Sequence, residues 1–246
     1  MEKIIEVKDL NFSYPDGTSA LSGINLEVPK DECLGLVGPN GAGKSSLLLH
    51  LNGLLTGQGE IRIAGLELNQ KNLLAIRKKV GLVFQDPEDQ LFMPTVYEDV
   101  GFGPKNLGLK DNELEKAVSD ALCAVDLNDK REHLSYHLSL GEKKRAAIAT
   151  ILSMHPEIFI LDEPTSNLDP RSRRAIVKIL RALPATTLVA SHDLELVLEV
   201  CDRVVLLDSG KIVVQGQPKE LFSDQALMES HGLEVPLSLK RRQNPD

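Results

Sequence analysis

The sequence predicts an α/β fold built on a largely parallel sheet, with a helical subdomain inserted into it. Three observations predict it. Short apolar, strand-like runs alternate with helical stretches in both the first and the last third of the chain, the pattern of a parallel sheet. One of those runs, Cys33–Val37, enters a glycine-rich turn that opens a helix. Strand signals vanish over residues 86–154, so the middle of the chain reads as helical.

Taken in order, residues 10–14 and 24–28 alternate apolar and polar with period two and read as half-buried strands. Residues 45–55 follow the glycine turn as a leucine-rich helix. Ile61 and Ile63 flank Arg62 in a strand that precedes an Ala64-Gly65 turn, and residues 80–84 form another apolar run. In the middle segment Leu114, Val118, Ala121, Leu122 and Val125 fall on one helical face, and a second helix is predicted over 139–154. Beyond it, 158–161 reads as a buried strand, 170–183 as a helix, 186–190 as a strand and 193–201 as a helix. Residues 204–207 and 212–214 flank Asp208-Ser209-Gly210-Lys211, a hairpin turn. The tail from Pro236 onward is predicted to be mobile.

Composition narrows the function classes. The 246 residues carry 28 Lys and Arg against 36 Asp and Glu, a net charge of −8, which argues against electrostatic capture of nucleic acid. Aromatic residues are 4% of the chain and there is no Trp, so a stacking platform is not expected. Cys33, Cys123 and Cys201 are far apart in sequence and read as reduced core thiols of a cytosolic protein. No run reaches the roughly 18 apolar residues of a membrane span. The first ten residues lack the apolar core of a signal peptide, so any membrane association is expected through a partner.

Gly38-Pro39-Asn40-Gly41-Ala42-Gly43-Lys44-Ser45 fits GxxxxGK[ST], between a strand and a helix as that motif requires. The glycines let main-chain N–H groups turn inward around phosphate oxygens, and the helix N-terminus adds partial positive charge. Lys44 would reach the β- and γ-phosphates, and Ser45 would ligate Mg²⁺. The strand at 158–161 leads into Asp162 and Glu163. Acids at the carboxyl end of a buried parallel strand point toward a ligand crevice. Asp162 can hold Mg²⁺ through water, and Glu163 can polarise an attacking water. These features describe a P-loop nucleotide hydrolase, a fold that hosts many functions.

Further motifs, in the same order and approximate spacing, resemble those of ATP-binding cassette (ABC) proteins. Gln85 resembles the Q-loop glutamine, Leu138-Ser139-Leu140-Gly141-Glu142 the signature LSGGQ, Ser166-Asn167-Leu168-Asp169 the D-loop, and His192 the switch histidine. Tyr14 sits where the family places an adenine-stacking aromatic; otherwise it continues the alternating strand face. The resemblance covers roughly residues 4–225. It implies an ATPase core over about 1–85 and 155–235 with a small antiparallel β subdomain, a helical subdomain over about 86–154, and a tail at 236–246. It also implies a head-to-tail pair of cassettes sandwiching two MgATP. Each ATP would meet Tyr14 and Gly38, Pro39, Asn40, Gly41, Ala42, Gly43, Lys44, Ser45 and Ser46 of one chain and Ser139, Gly141 and Glu142 of the other. The family assigns Mg²⁺ to Ser45, Gln85 and Asp162, and catalysis to Glu163, His192 and Gln85.

Independently of the family, Ser139 and Glu142 match a capping box and should open a helix whose N-terminus suits a phosphate. Leu140 replaces the first glycine of the signature. Glycine allows close approach and unusual φ, so Leu140 predicts a slower or asymmetric site.

The stretch after Gln85 resembles the ATPases of energy-coupling factor (ECF) transporters, particularly the cobalt- or nickel-type subunit, with Asp89-Gln90-Leu91-Phe92 expected as a helix beside the Q-loop. The resemblance implies a transmembrane coupling protein and a membrane substrate-binding component as partners, on the cytoplasmic face of the membrane. Leu91, Phe92 and Met93 suit a groove-binding surface, or else pack the subdomain's own core. His133 and His137 have i, i+4 spacing but no third ligand, and a metal site there is not expected. The basic runs 143–145 and 240–242 read as solvated faces or tail. The competing readings are a soluble ABC ATPase acting on DNA, ribosomes or cofactor assembly, an ECF ATPase for vitamins, and a regulatory module with little turnover. No heptad tract separates Lys44 from Glu163, unlike chromosome-type members, and the chain carries one cassette rather than two.

Overall fold

A computed structural model describes residues 2–243. The chain forms two compact units, residues 1–77 with 185–246, and residues 78–184.

In the first unit, β1 (Lys3–Ser13) and β2 (Ser19–Pro29) form a long antiparallel hairpin with Val7 opposite Leu26. Ile24, Leu26 and Val28 are buried while Asn25 and Glu27 face out, the period-two alternation read from the sequence. β3 (Cys33–Val37) is buried over its last four residues and leads through the glycine turn into α1 (Lys44–Leu51). β4 (Gln58–Ile63) pairs with β1, and β5 (Leu66–Glu67) with β4, giving an antiparallel sheet in the order β2-β1-β4-β5. Ala64 (φ 48°) and Gly65 (φ 77°) make the tight turn between β4 and β5. α2 (Leu73–Lys79) follows.

His50 sits on the core side of α1, fully buried and edge-on to Phe12 at 4.7 Å. Its Nδ1 lies 2.7 Å from the Ser46 carbonyl oxygen, and its Nε2 has no hydrogen-bond partner. Burial pushes its pKa below the ordinary 6.5. The folded protein therefore keeps this imidazole neutral where the unfolded chain takes up a proton, and stability is lost as pH falls through 6.5. The melting temperature should fall between about pH 7.5 and pH 5.5, and His50→Leu should flatten that slope. Parallel slopes in the two proteins would show that His50 does not contribute.

In the second unit, β6 (Val80–Val83) and β7 (Ile158–Asp162) pair in parallel, Val83 opposite Leu161. Between them in sequence, α3 (Val96–Asn106), α4 (Asp111–Ala124) and α5 (Leu140–Leu152) pack on one another. Within the helical middle only 114–125 and 139–154 have bounds in the sequence, and α3 adds a helix ahead of them. A capping box between Thr95 and Glu98 starts it, and Pro104 falls in its last turns. Gly81 lets β6 approach α5 closely, since a Cβ there would lie 1.9 Å from Ile151 Cγ2. α6 (Pro170–Arg181) follows β7.

The chain then returns to the first unit. β8 (Thr186–Ala190), α7 (Leu194–Val200), β9 (Arg203–Asp208) and β10 (Lys211–Gly216) follow in order. β3 lies between β8 and β9 and is parallel to both, Leu36 facing Ala190 on one side and Val205 on the other. β9 and β10 form the predicted hairpin, with Ser209 (φ 48°) and Gly210 (φ 74°) in the turn. The C-terminal segment overturns the expectation of a mobile tail from Pro236. After α8 (Pro218–Ser223) and α9 (Gln225–Ser230), Leu237–Gln243 is a helix, α10. Val235 and Leu239 bury against Phe222, Met228 and Val197. Residues 244–246 lie outside the described residues.

Candidate active site

The glycine turn in the first unit has the form of a phosphate cradle. Gly38 has φ 148° and Gly43 φ 103°, and a Cβ on them would lie 1.9 Å from the Leu207 carbonyl oxygen and 2.5 Å from that of Ala20. Only glycine fits either position. Gly43 caps α1 without a side chain, so the first-turn N–H groups keep the role an anion can fill. Lys44 is buried, and its Nζ donates to the carbonyl oxygens of Gly38 (2.7 Å) and Pro39 (3.0 Å), closing the loop on itself. Asn40, Gly41 and Ser45 are exposed, whereas Ala42 and Ser46 are buried. The Ser46 hydroxyl is 2.9 Å from the Tyr14 hydroxyl, and the half-exposed Tyr14 ring packs edge-on against Phe12 at 4.9 Å. His192 is exposed just past β8. Because Leu36 of β3 faces Ala190 of β8, His192 and the Gly38 turn leave the same edge of the sheet.

The second unit brings Gln85, Asp162 and Glu163 to one edge in the same way, since β6 and β7 end side by side. Gln85 is exposed in the loop just beyond β6, not the end of that strand. Asp162 closes β7, and Glu163 follows with φ 47°, a left-handed backbone that is strained for a non-glycine residue. Glu163 is 7% exposed. Its carbonyl oxygen accepts from the Ser166 N–H (3.2 Å), the Ser166 hydroxyl (3.0 Å) and Lys144 Nζ (2.6 Å), which hold the turn in place. Asp169 then caps α6, accepting from the N–H groups of Arg171 and Ser172.

Ser139 opens α5 with the predicted capping box. Its N–H and hydroxyl each donate to Glu142 Oε2 at 2.8 Å, and the Glu142 N–H donates back to Ser139 Oγ at 3.4 Å. The Ser139 N–H holds the Glu142 carboxyl below its ordinary pKa. Gly141 is buried where a Cβ would lie 2.5 Å from Ser172 Oγ. Leu140 is an exposed first residue of the helix with negative φ, so the conflict between Leu and an unusual backbone does not arise. What remains of that expectation is an exposed side chain beside Ser139.

Residues 21–166 match the ABC transporter family. The chain belongs to that family. It is 48% identical to the energy-coupling factor transporter ATP-binding protein EcfA of Carboxydothermus hydrogenoformans, over 98% of this chain and 90% of that protein. Among solved structures it is similar to CbiO1 of Clostridium perfringens, part of the ABC transporter complex CbiONQ, with TM-score 0.84 and 37% identity over 99% of this chain and 100% of that one. It is also similar to a dimeric ATP-binding cassette captured after hydrolysis with ADP and phosphate. That likeness has TM-score 0.78 and 27% identity, covering 87% of this chain and 98% of that one.

This ABC ATPase, whose substrate is ATP, shows several features that sequence reasoning missed. The segment after Gln85 is not the expected helix over 89–92 but a single 3-10 turn at Pro87–Asp89, capped by Asp86. Gln90 leaves that turn and clamps it. Its Oε1 accepts from the Phe84 N–H at 3.1 Å, and its Nε2 donates to the Ala147 carbonyl (2.9 Å) and Thr150 Oγ1 (2.7 Å) on α5. The basic run 143–145 is not a solvated face. Lys143 pairs with Glu88 at 2.5 Å, Arg145 donates to the Val125 carbonyl at 2.7 Å, and Lys144 is buried. Burial pushes the Lys144 pKa down to about 8, against the pull of the Glu163, Asp162 and Asp86 carboxylates. Helical spacing held the signal, since Gly141, Lys144, Ile148 and Ile151 share the buried face of α5.

Lys240 is exposed near Glu234 at 3.7 Å, and the side chains of Arg241 and Arg242 lie outside the described residues. The cysteines also depart from the reading as separate core thiols. Cys123 is exposed, and the half-buried Cys33 and Cys201 bring their sulfurs to 3.7 Å. His133 and His137 are both exposed. Among the described residues no group of three or more His, Cys, Asp or Glu could hold a metal ion, and no helix is long and apolar enough to cross a membrane.

Proposed function

We propose that the chain is the ATP-hydrolysing subunit of an energy-coupling factor importer whose cargo is cobalt or nickel. Two cassettes, either two copies of this chain or this chain with a related ATPase, close on ATP and reopen after hydrolysis. A transmembrane coupling protein turns that motion into transport at the cytoplasmic face of the membrane. A small membrane component binds the ion. The similarity to EcfA and to a subunit of the CbiONQ complex supports the role as an ATP-binding subunit of an energy-coupling factor transporter, and the dimeric cassette supports the pairing.

In this reading Gly38 through Ser46 hold the phosphates, and Tyr14 stacks on adenine. Ser139, Gly141 and Glu142 face the nucleotide of the second cassette. Lys44 and His192 offset negative charge at the γ-phosphate, and Glu163 takes a proton from the attacking water. Ser45, Gln85 and Asp162 offer hydroxyl, amide and carboxylate oxygens, the hard donor set that suits Mg²⁺. When bound, that ion neutralises phosphate charge.

The observation that carries the coupling role is an exposed aromatic pair beside the Q-loop. Phe92 is 62% and Phe102 42% exposed, and their rings meet edge-on at 4.9 Å. The chain has only six Phe, so two of them together at the surface are a strong departure from burial. The Asp99 carboxylate fixes this stretch, accepting from the N–H groups of Phe92 (2.9 Å) and Met93 (2.8 Å) and from the Ser135 hydroxyl (2.5 Å). A cavity of about 280 Å³ adjoins it, lined by Met93, Tyr97, Gly101, Phe102 and Leu114 among others. An apolar groove with an aromatic rim suits an amphipathic helix.

Copurification from detergent-solubilised native membranes, with partners identified by mass spectrometry, tests this reading. A polytopic coupling protein together with a small substrate-binding membrane protein is the expected result. Phe92→Ser with Phe102→Ser should leave ATPase activity of the isolated chain intact and weaken membrane-partner capture by about tenfold or more. Recovery of ribosomes, nucleic acid or soluble assembly factors alone would overturn the transporter role.

A further inference from the structure

Lys144 lies within the signature helix, yet the hydrogen bonds of its ammonium go outside that helix. It is 4% exposed, and its Nζ donates to the Glu163 carbonyl oxygen at 2.6 Å and to Ser166 Oγ at 2.8 Å. Both hydrogen-bond acceptors are neutral, and the nearby Glu163, Asp162 and Asp86 carboxylates offset its burial only in part. A buried ammonium bonded to neutral acceptors is a costly arrangement, and an apolar side chain of similar length would fill the space at lower cost. The Ser166 hydroxyl in turn donates to the same Glu163 oxygen at 3.0 Å, so lysine, serine and carbonyl form a closed triangle. At its centre is a residue held at φ 47°. Such a backbone persists only where its surroundings over-determine it.

A second contact joins the same two elements. Gly141, on the same face of α5, packs against Ser172 in the first turn of α6, and its missing Cβ permits the approach. The start of α5 therefore grips the 163–172 segment at both ends, through Lys144 on Glu163 and through Gly141 on Ser172. The capping box of Ser139 lies at the free end of the same helix.

We propose that Lys144 is a positioning residue that couples the two nucleotide sites of the cassette pair: it ties the signature helix, which meets the second cassette's ATP, to the main chain of Glu163, which acts on this chain's own ATP. This rests on the roles given above to Ser139 and Glu163. A shift of α5 when Ser139 engages a phosphate is carried by Lys144 to the Glu163 carbonyl and sets the aim of its carboxyl group. Lys144 touches no substrate. Its effect is on the orientation of a base, where small displacements change rates steeply.

The test is ATP hydrolysis by the full-length protein with Lys144→Met, Lys144→Arg and Ser166→Ala, reading kcat, KM and the Hill coefficient, with melting temperature as a control for folding. Lys144→Met should lower kcat by about tenfold or more while KM for ATP changes by less than about threefold. Cooperativity in ATP should fall toward a Hill coefficient of one. Lys144→Arg, which keeps a buried cation with N–H donors, should recover part of both, and Ser166→Ala should shift kcat in the same direction by less. If Lys144→Met does not fold, Lys144→Arg and Ser166→Ala still read the coupling. Unchanged kcat and cooperativity in the folded variants would overturn the proposal, as would a loss of kcat with cooperativity retained. Glu163→Gln, measured alongside, separates the two levels. Normal turnover in that variant removes the role of Glu163 itself, whatever Lys144 does.

Discussion

Glu163→Gln keeps ATP affinity near that of the unaltered protein and lowers turnover by about 10²- to 10⁴-fold, the range a general base contributes. The expectation follows from how the residue is held. Its backbone is fixed by three donors to its carbonyl oxygen, from Ser166 and Lys144, and none of them involves the carboxyl group. Glutamine has nearly the same shape, so the strained turn and the buried position survive while the ability to accept a proton does not. With hydrolysis blocked, the ATP-bound pair accumulates, and light scattering should show a mass twice that of the 27.0 kDa chain when ATP and Mg²⁺ are present. Normal turnover in Glu163→Gln would mean that another group activates the water.

Lys44→Ala fails earlier, at binding. In the proposed site Lys44 supplies the cationic side chain of the phosphate loop, and it bonds the Gly38 and Pro39 carbonyls that shape the loop. Charge-assisted hydrogen bonds are about twice as strong as neutral ones, so losing those to phosphate should weaken ATP binding by about 10²-fold. Titration calorimetry with ATP reads this directly. The contrast is diagnostic: Lys44→Ala loses affinity, whereas Glu163→Gln keeps affinity and loses rate. Equal ATP affinity in Lys44→Ala and the unaltered chain would remove the loop from nucleotide recognition.

Features that depend on a few neighbouring residues were legible in the sequence. The Gly38–Ser45 loop declares itself because left-handed glycines, the lysine and the helix start must fall at fixed spacing, and Gly38 and Gly43 do take positive φ. The Ser139–Glu142 capping box is equally local. The strands β2, β3, β7 and β8 follow from apolar alternation or short apolar runs. Long-range polar contacts were not legible. Gln90 and Lys144 look like ordinary surface residues, and their partners lie 57 and 60 residues away for Gln90 and 19 and 22 away for Lys144. The α5 periodicity places Lys144 on the core face, but a run of three basic residues reads as solvated. α3 contains Gly101, Gly103 and Pro104, whose local preferences lose to a capping box and to packing against α4 and α5. α10 was hidden because a mostly polar tail needs only Val235 and Leu239 to anchor it.

Uptake by proteoliposomes measures transport itself. The chain would be copurified with its membrane partners, reconstituted, and supplied with ATP on the face that carries the cassettes. Labelled cobalt or nickel should accumulate in step with ATP hydrolysis, and Glu163→Gln should abolish both. Ion accumulation that persists with Glu163→Gln, or steady ATP hydrolysis with no movement of ion or of any competing vitamin, would contradict it.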